Sequence, residues 1–283
     1  MSRWLKQIRN ISLSVVLFVI ILELALRFVD PTGAVALHRD LQAFELAKAA
    51  DPDLGYALAD GTHQFNSWKM TVENGYRVTP ATNPDASCTI AFIGDSFTMG
   101  AGVDDEAVAV NLIAAELPNV HVINTGIGGY NLDQVVIRQR QTPADGYIYL
   151  ALANDMYGTI PEFDDEAFRG PIRTGSALRV YLGWLNARQG AINNQHGRPG
   201  EVEDAGIAYY YKLQELDQTE NVLIFFLTLG LLWEADNTVN IVPMPEYGIS
   251  TADGHYNAEG NQALAEQMLP TVIEFADRTC DDA

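Results

Sequence analysis

The sequence predicts an α/β fold: a parallel sheet covered by helices on both faces, preceded by one N-terminal transmembrane helix. Three observations predict it. From Thr89 onward, short apolar runs alternate with helical patterns, as strands buried on both faces do. Chemically capable residues follow the ends of those runs, where open α/β sheets form their sites. A basic N-terminus precedes an apolar run long enough to cross a bilayer.

The N-terminal element comes first. Arg3, Lys6 and Arg9 precede an apolar run from Ile11 to Val29. As a helix that run spans about 28 Å at about 1.5 Å per residue. Glu23 and Arg27 interrupt its far end, spaced to pair on one helix face. Positive charge ahead of the run predicts a cytoplasmic N-terminus and an extracytoplasmic body. Residues 1–29 are therefore expected as an uncleaved anchor. The competing reading is a cleaved signal peptide, with Ala34-Val35-Ala36 as a small-x-small site. That site lies beyond Arg27, Asp30 and Pro31, far from the apolar core, which favours the anchor.

Residues 30–87 read as a stalk or irregular lead-in. Gly, Pro, Asp and Asn are frequent there and no long period emerges. Residues 88–283 read as the catalytic domain. Thr89–Ile93 is a buried strand running into Gly94-Asp95-Ser96, and a helix is expected over Glu106–Leu117. Val120–Asn124 is a strand, Thr125–Tyr130 a Gly-rich turn and Leu132–Arg140 a helix. Tyr147–Leu152, Val222–Leu227 and Val239–Val242 are further strands. Asn257–Phe275 is an amphipathic helix with Leu264, Met268, Val272 and Phe275 along one side. Residues 156–221, containing Tyr209-Tyr210-Tyr211, are too long for a plain crossover and read as an insertion over the site.

Charge excludes one class of function. The formal net charge is −20. Four of the basic residues lie in the first 29 positions against Glu23 alone, so the body is more acidic still. Such a body repels nucleic acid, and no nucleic-acid partner is expected. Asp104-Asp105-Glu106 and Asp164-Asp165-Glu166 read as exposed acids. Neither has His or Cys at ligand spacing, so no metal and no cofactor is expected.

Cys88 and Cys280 form no CxxC or zinc pattern. They are two buried thiols or, in an exported body, one disulfide. Placement favours the bond. Cys88 opens the first strand, at the edge opposite the site, and the closing helix runs from the site back to that edge.

The chemistry is spread over four blocks. Ser96 follows the first strand in Gly94-Asp95-Ser96-Phe97, a turn that equally suits a helix cap. It is not the GxSxG elbow, because position 98 is Thr. Gly126 sits in Asn124-Thr125-Gly126-Ile127-Gly128-Gly129-Tyr130, where a backbone N–H can face a site without side-chain obstruction. Asn154, in Leu152-Ala153-Asn154-Asp155, carries an amide able to donate to an oxyanion. Asp253-Gly254-His255 precedes the last helix and pairs an acid with a base. Each block alone also reads as an ordinary turn or cap.

Together and in this order, the four blocks resemble those of the SGNH (GDSL-like) hydrolases, over residues 88–277. The second block and the Glu-Leu-Ala-Leu-Arg end of the anchor are similar to membrane-anchored bacterial members. The resemblance implies a three-layer α/β/α domain with a flavodoxin-like sheet and a serine esterase or acyltransferase activity. It implies Ser96 as nucleophile, His255 as base and Asp253 as its orienting partner. It assigns the oxyanion to the Ser96 N–H, the Gly126 N–H and the Asn154 amide. Leu152 stands where the third block usually has Gly, and Asp253 and His255 are one residue closer than is common. The expected substrate is a carbohydrate or lipid ester of the cell envelope. The alternatives are O-acyl transfer to an envelope polysaccharide, with a membrane partner supplying the acyl group, and a non-catalytic binding module.

Overall fold

The computed structural model describes residues 3–152, 155, 176–194, 216, 221–228, 239–243 and 254–280. Helix α1 (Arg3–Val29) has 27 residues, about 40 Å at about 1.5 Å per residue. It begins at Arg3 rather than Ile11 because Trp4, Leu5 and Ile8 carry the apolar surface between the basic residues. Among the described residues it is the one helix long and apolar enough to cross a membrane.

The lead-in differs from the irregular stalk expected for residues 30–87. Asp30 turns the chain, and its carboxylate accepts the Val35 and Ala36 N–H groups at 3.2 and 2.8 Å. These donors open helix α2 (Ala34–Leu46) and have no partner inside it. Strands β1 (Lys48–Asp51) and β2 (Gly55–Leu58) form an antiparallel hairpin. Strands β3 (Gly61–Gln64), β4 (Lys69–Glu73) and β5 (Tyr76–Arg77) form an antiparallel extension of the main sheet. Strands of two to five residues are too short to show a period in sequence.

The remaining elements are β6 (Cys88–Gly94), α3 (Ser96–Met99), α4 (Ala109–Ala115), β7 (Val120–Asn124), α5 (Leu132–Gln141), β8 (Gly146–Leu152), α6 (Ala177–Asn194), β9 (Val222–Thr228), β10 (Val239–Pro243) and α7 (Ala258–Cys280). All but α3 and α6, for which no bounds were expected, have counterparts among the elements read from the sequence. The helix expected over Glu106–Leu117 is divided into a 3-10 turn at Asp105–Ala107 and α4. Of the expected insertion at 156–221, α6, Leu216 and Asn221 are described, and Tyr209-Tyr210-Tyr211 lies outside the described residues.

The main sheet runs β10-β9-β8-β6-β7-β5-β4-β3. Strands β6 to β10 are mutually parallel, and β5 joins β7 antiparallel. The sheet is therefore mixed, not wholly parallel, because the lead-in continues it. Alternation along each central strand divides the core between two faces. Ile90, Phe92, Ile148 and Leu150 pack under α4 and α7, with Leu264, Met268, Val272 and Phe275 buried as their spacing predicts. Ala91, Ile93, Tyr149 and Ile224 pack on the other face with Val135 of α5 and Met70 of β4.

Helix α7 returns from the carboxyl ends of the strands to their amino ends, where Cys280 bonds Cys88 with Cα atoms 5.6 Å apart. The cross-link closes nearly the whole sheet domain, with a sequence separation of 192. In the chain-entropy model such a loop contributes up to about 5 kcal/mol. Reductant, or replacing both cysteines by Ser, is expected to lower the thermal midpoint. An unchanged melting curve would show that the cross-link adds nothing to stability.

Candidate active site

Three chain segments meet at the carboxyl end of the parallel strands. Strand β6 delivers Gly94-Asp95-Ser96. Asp95 is fully buried and caps α3, accepting the Phe97 N–H at 2.9 Å. That cap fixes the backbone on both sides of Ser96. His255 arrives from the other end of the chain, just ahead of α7. Its Nε2 lies 2.7 Å from Ser96 Oγ. Asp95 Oδ2 is 3.4 Å from the same hydroxyl, so the imidazole is the nearer and better-placed acceptor for its proton. Phe97 holds the ring from the side, its centroid 5.1 Å from His255 and 5.2 Å from Tyr256. The first turn of α7 is pinned to α4 by Asn261 Oδ1, which accepts the Ala109 N–H at 3.0 Å.

Ser96 and His255 open into a cavity of about 410 Å³, within the range usual for small-ligand sites. Its far wall is α2, through Leu37, Leu41 and Phe44, and it reaches Gly33 at the start of that helix. Trp68 and Met99 add apolar surface. Lys48 lies against this wall, bonded to Glu45 at 2.9 Å with its ammonium 4.1 Å from the Tyr56 ring centroid.

The Gly-rich turn after β7 gives its glycines different positions. The Gly126 N–H donates to Asn124 Oδ1 at 3.1 Å, and Gly128 and Gly129, not Gly126, line the cavity. Gly126 packs closely against the segment that follows Ser96. A Cβ there would stand 2.4 Å from Met99 N and 2.7 Å from Thr98 Cβ, so a side chain would push the turn off the nucleophile helix. Beyond it, residues 127–130 form a turn closed by Tyr130 N–H donating to Ile127 O at 3.2 Å. Gly129 occupies its third position with φ +83°, as a type II turn requires. The carbonyl of the central peptide accepts from the Tyr56 hydroxyl at 2.8 Å. The N–H of Gly129 belongs to the same planar trans peptide and points the opposite way.

The lead-in fixes both loops. Tyr130 donates to Tyr56 O at 2.6 Å, and Gln134 to Leu54 O at 2.7 Å. Arg77, whose side chain is 0% exposed, donates to Asp105 at 2.9 Å and to the carbonyls of Met99, Gly100 and Val103 at 2.8, 2.7 and 2.6 Å. Asp105 is thus a buried partner rather than the exposed acid its Asp-Asp-Glu context suggests.

Asp155 is a further buried acid, and no role was read for it in the sequence. It is 2% exposed and accepts the Tyr149 hydroxyl at 2.7 Å and the Leu152 N–H at 3.1 Å. Burial pushes its carboxyl well above the usual range. The nearby charge of Asp95 adds to this, and the two hydrogen bonds oppose it. The signal in sequence was Tyr149, a hydroxyl inside an otherwise apolar strand that needs a partner. Asn154 and Asp253, the expected oxyanion donor and orienting acid, lie outside the described residues.

The chain matches no protein-family model and no curated protein. Solved structures similar to it include a family two carbohydrate esterase from Clostridium thermocellum in complex with cellohexaose. That likeness has 13% identity and a TM-score of 0.36, covering 74% of this chain and 68% of that one. A carbohydrate acetylesterase family member from Sinorhizobium meliloti aligns at 14% identity and TM-score 0.34, covering 66% and 98%. A psychrotrophic esterase from Pseudoalteromonas sp. aligns at 12% and 0.36, covering 68% and 100%. Likenesses at this level establish neither activity nor substrate.

The Asp155 carboxyl gives a signed prediction. A carboxyl that holds its proton to higher pH when folded leaves the folded state with more protons than the unfolded one. Stability therefore falls as pH rises from the unfolded carboxyl range, about 3.9, toward the folded value. Asp155→Asn keeps an acceptor for Tyr149 and Leu152 and removes the titration. Thermal midpoints measured between acid and neutral pH should fall less steeply for the variant. Identical slopes would mean that Asp155 is ionised in the fold.

Proposed function

We propose that this chain is a serine ester hydrolase of the SGNH type, acting through an acyl-enzyme on a carbohydrate or lipid ester of the cell envelope. The observation that carries this is the 2.7 Å contact between Ser96 Oγ and His255 Nε2, both lining one cavity. A serine hydroxyl is a weak nucleophile until a positioned base takes its proton. Here Ser96 Oγ bonds to the ester carbonyl carbon as its proton passes to Nε2. Collapse of the tetrahedral intermediate breaks the bond to the alcohol, which leaves with that proton. Water then attacks the acyl-enzyme and gives a proton to His255, which returns it to Ser96 Oγ as the acyl bond breaks and the acid is released.

The oxyanion needs donors already in place. We assign the Ser96 N–H, the Asn154 amide and, in place of Gly126, the Gly129 N–H. The turn geometry and cavity position of Gly129 support that exchange. Asp253 is assigned to hold the His255 ring. Five parallel strands in the order β7-β6-β8-β9-β10 support a flavodoxin-like domain. Helix α1 is read as an uncleaved anchor with the body outside the cytoplasm. The alternative cut at Ala34-Val35-Ala36 falls in the buried first turn of α2.

Ser96→Ala is expected to lower turnover of a short acyl ester by several orders of magnitude, roughly 10⁴ or more, with folding unchanged. Asn154→Ala is expected to lower kcat by roughly 10²–10³ with little change in KM. Full ester cleavage by the Ser96 variant would refute the assignment. A rise in KM alone would make Asn154 a binding residue. Adding a saccharide acceptor separates hydrolysis from acyl transfer, which would yield an acylated sugar.

A further inference from the structure

We propose that the ester is drawn from the membrane: its acyl chain belongs to a bilayer amphiphile and enters the Ser96 cavity along α2. This rests on the ester-hydrolase reading and on α1 as a membrane anchor. It goes beyond them by choosing a lipid-borne ester over a water-soluble one.

The first ground is distance. The cavity holds Ser96 and His255 at one end and Gly33 at the other. Gly33 is four residues beyond Val29, the last residue of α1. Four residues reach at most about 14 Å even when extended, and here they are turned, with Gly33 N–H donating to Asp30 O at 3.0 Å. The cavity lining thus reaches to within four residues of the foot of the apolar helix.

The second ground is that this placement is fixed. Asp30 caps α2 directly after α1 ends. Helix α6 then locks both helices to each other. Leu22 and Leu26 of α1, Val35 of α2 and Ala177 of α6 form one apolar cluster. Glu23 accepts the Ala177 and Leu178 N–H groups at 2.8 and 3.0 Å and the Ser176 hydroxyl at 2.7 Å. A body held in this way stays against the bilayer surface, where a flexible stalk would let it swing into solvent.

The third ground is surface chemistry. The cavity wall facing the anchor is Ala36, Leu37, Leu41 and Phe44, and Leu41 is 55% exposed at its rim. Phe28 and Val29 at the end of α1 are 85% and 71% exposed, and Leu182 of α6 is 55% exposed. Exposed apolar side chains thus stand both at the end of α1 and on the cavity-lining residue Leu41, surface suited to an acyl chain leaving the bilayer.

The test uses the full-length chain in phosphatidylcholine vesicles. Para-nitrophenyl palmitate is supplied in the same vesicles or in separate ones, and para-nitrophenyl acetate is supplied in water. Confinement with the enzyme should speed palmitate cleavage at least about tenfold over the separate-vesicle rate. Leu41→Glu places a charge on the exposed rim of the cavity. It should lower kcat/KM for the co-embedded palmitate about tenfold more than for acetate. Both results together support the proposal. Acetate cleavage with no gain from co-embedding, or an equal loss on both esters in Leu41→Glu, overturns it while the hydrolase reading stands. Cleavage of neither ester, or cleavage that survives Ser96→Ala, overturns both.

Discussion

A guanidinium with no water around it must find every partner inside the protein. Arg77 meets that demand with Asp105 and the carbonyls of Met99, Gly100 and Val103. All of these lie in the segment that follows Ser96. The same strand carries Arg77 against Asn124 of β7. One side chain therefore ties the lead-in, the edge of the parallel strands and the loop behind the nucleophile. Once it is buried, the three cannot separate without exposing a charge or leaving carbonyls unpaired. The lead-in is for that reason part of the sheet domain, and the sheet is mixed because β3, β4 and β5 continue it and supply Arg77.

A second constraint acts from the far end of the chain. His255 is separated from Ser96 by 159 positions, yet their reactive atoms are 2.7 Å apart. Helix α7 makes that contact reproducible. Its apolar side is buried along its length, Asn261 pins its first turn to α4 and Cys280 fixes its last residue to the start of β6. The strand that presents Ser96 and the helix that follows His255 are thus joined at their distal ends. Their proximal ends are held in register across the thickness of the sheet.

What was legible in the sequence follows from the same physics. Strands β6, β8 and β9 are nearly continuous apolar runs, so composition alone exposed them. The α7 stripe is long enough to show a helical period. Ser96 and His255 could be read because each stands at a strand or helix end with its neighbours in order. The lead-in was not legible, since its strands are short and its tertiary partners are distant. Asp105 looked like an exposed acid and Arg77 drew no reading, because burial is a property of the fold and leaves no local mark. Gly126 and Gly129 are both glycines in one turn. Only the fold distinguishes them: the Gly126 N–H is engaged by Asn124, while Gly129 follows the Gly128 carbonyl held by Tyr56.

Glu23 shows how one residue changes meaning between levels. In sequence it breaks an apolar run and has Arg27 one turn away. In the fold it keeps that pairing at 2.7 Å and also caps α6. Removing residues 1–36 would take away that cap, the Leu22 and Leu26 contacts and the Asp30 bonds that start α2. The N-terminal turn of α2, which forms the cavity wall nearest the anchor, would be lost as well. Helices α1, α2 and α6 are therefore one mechanical unit, and α2 carries the cavity wall with it.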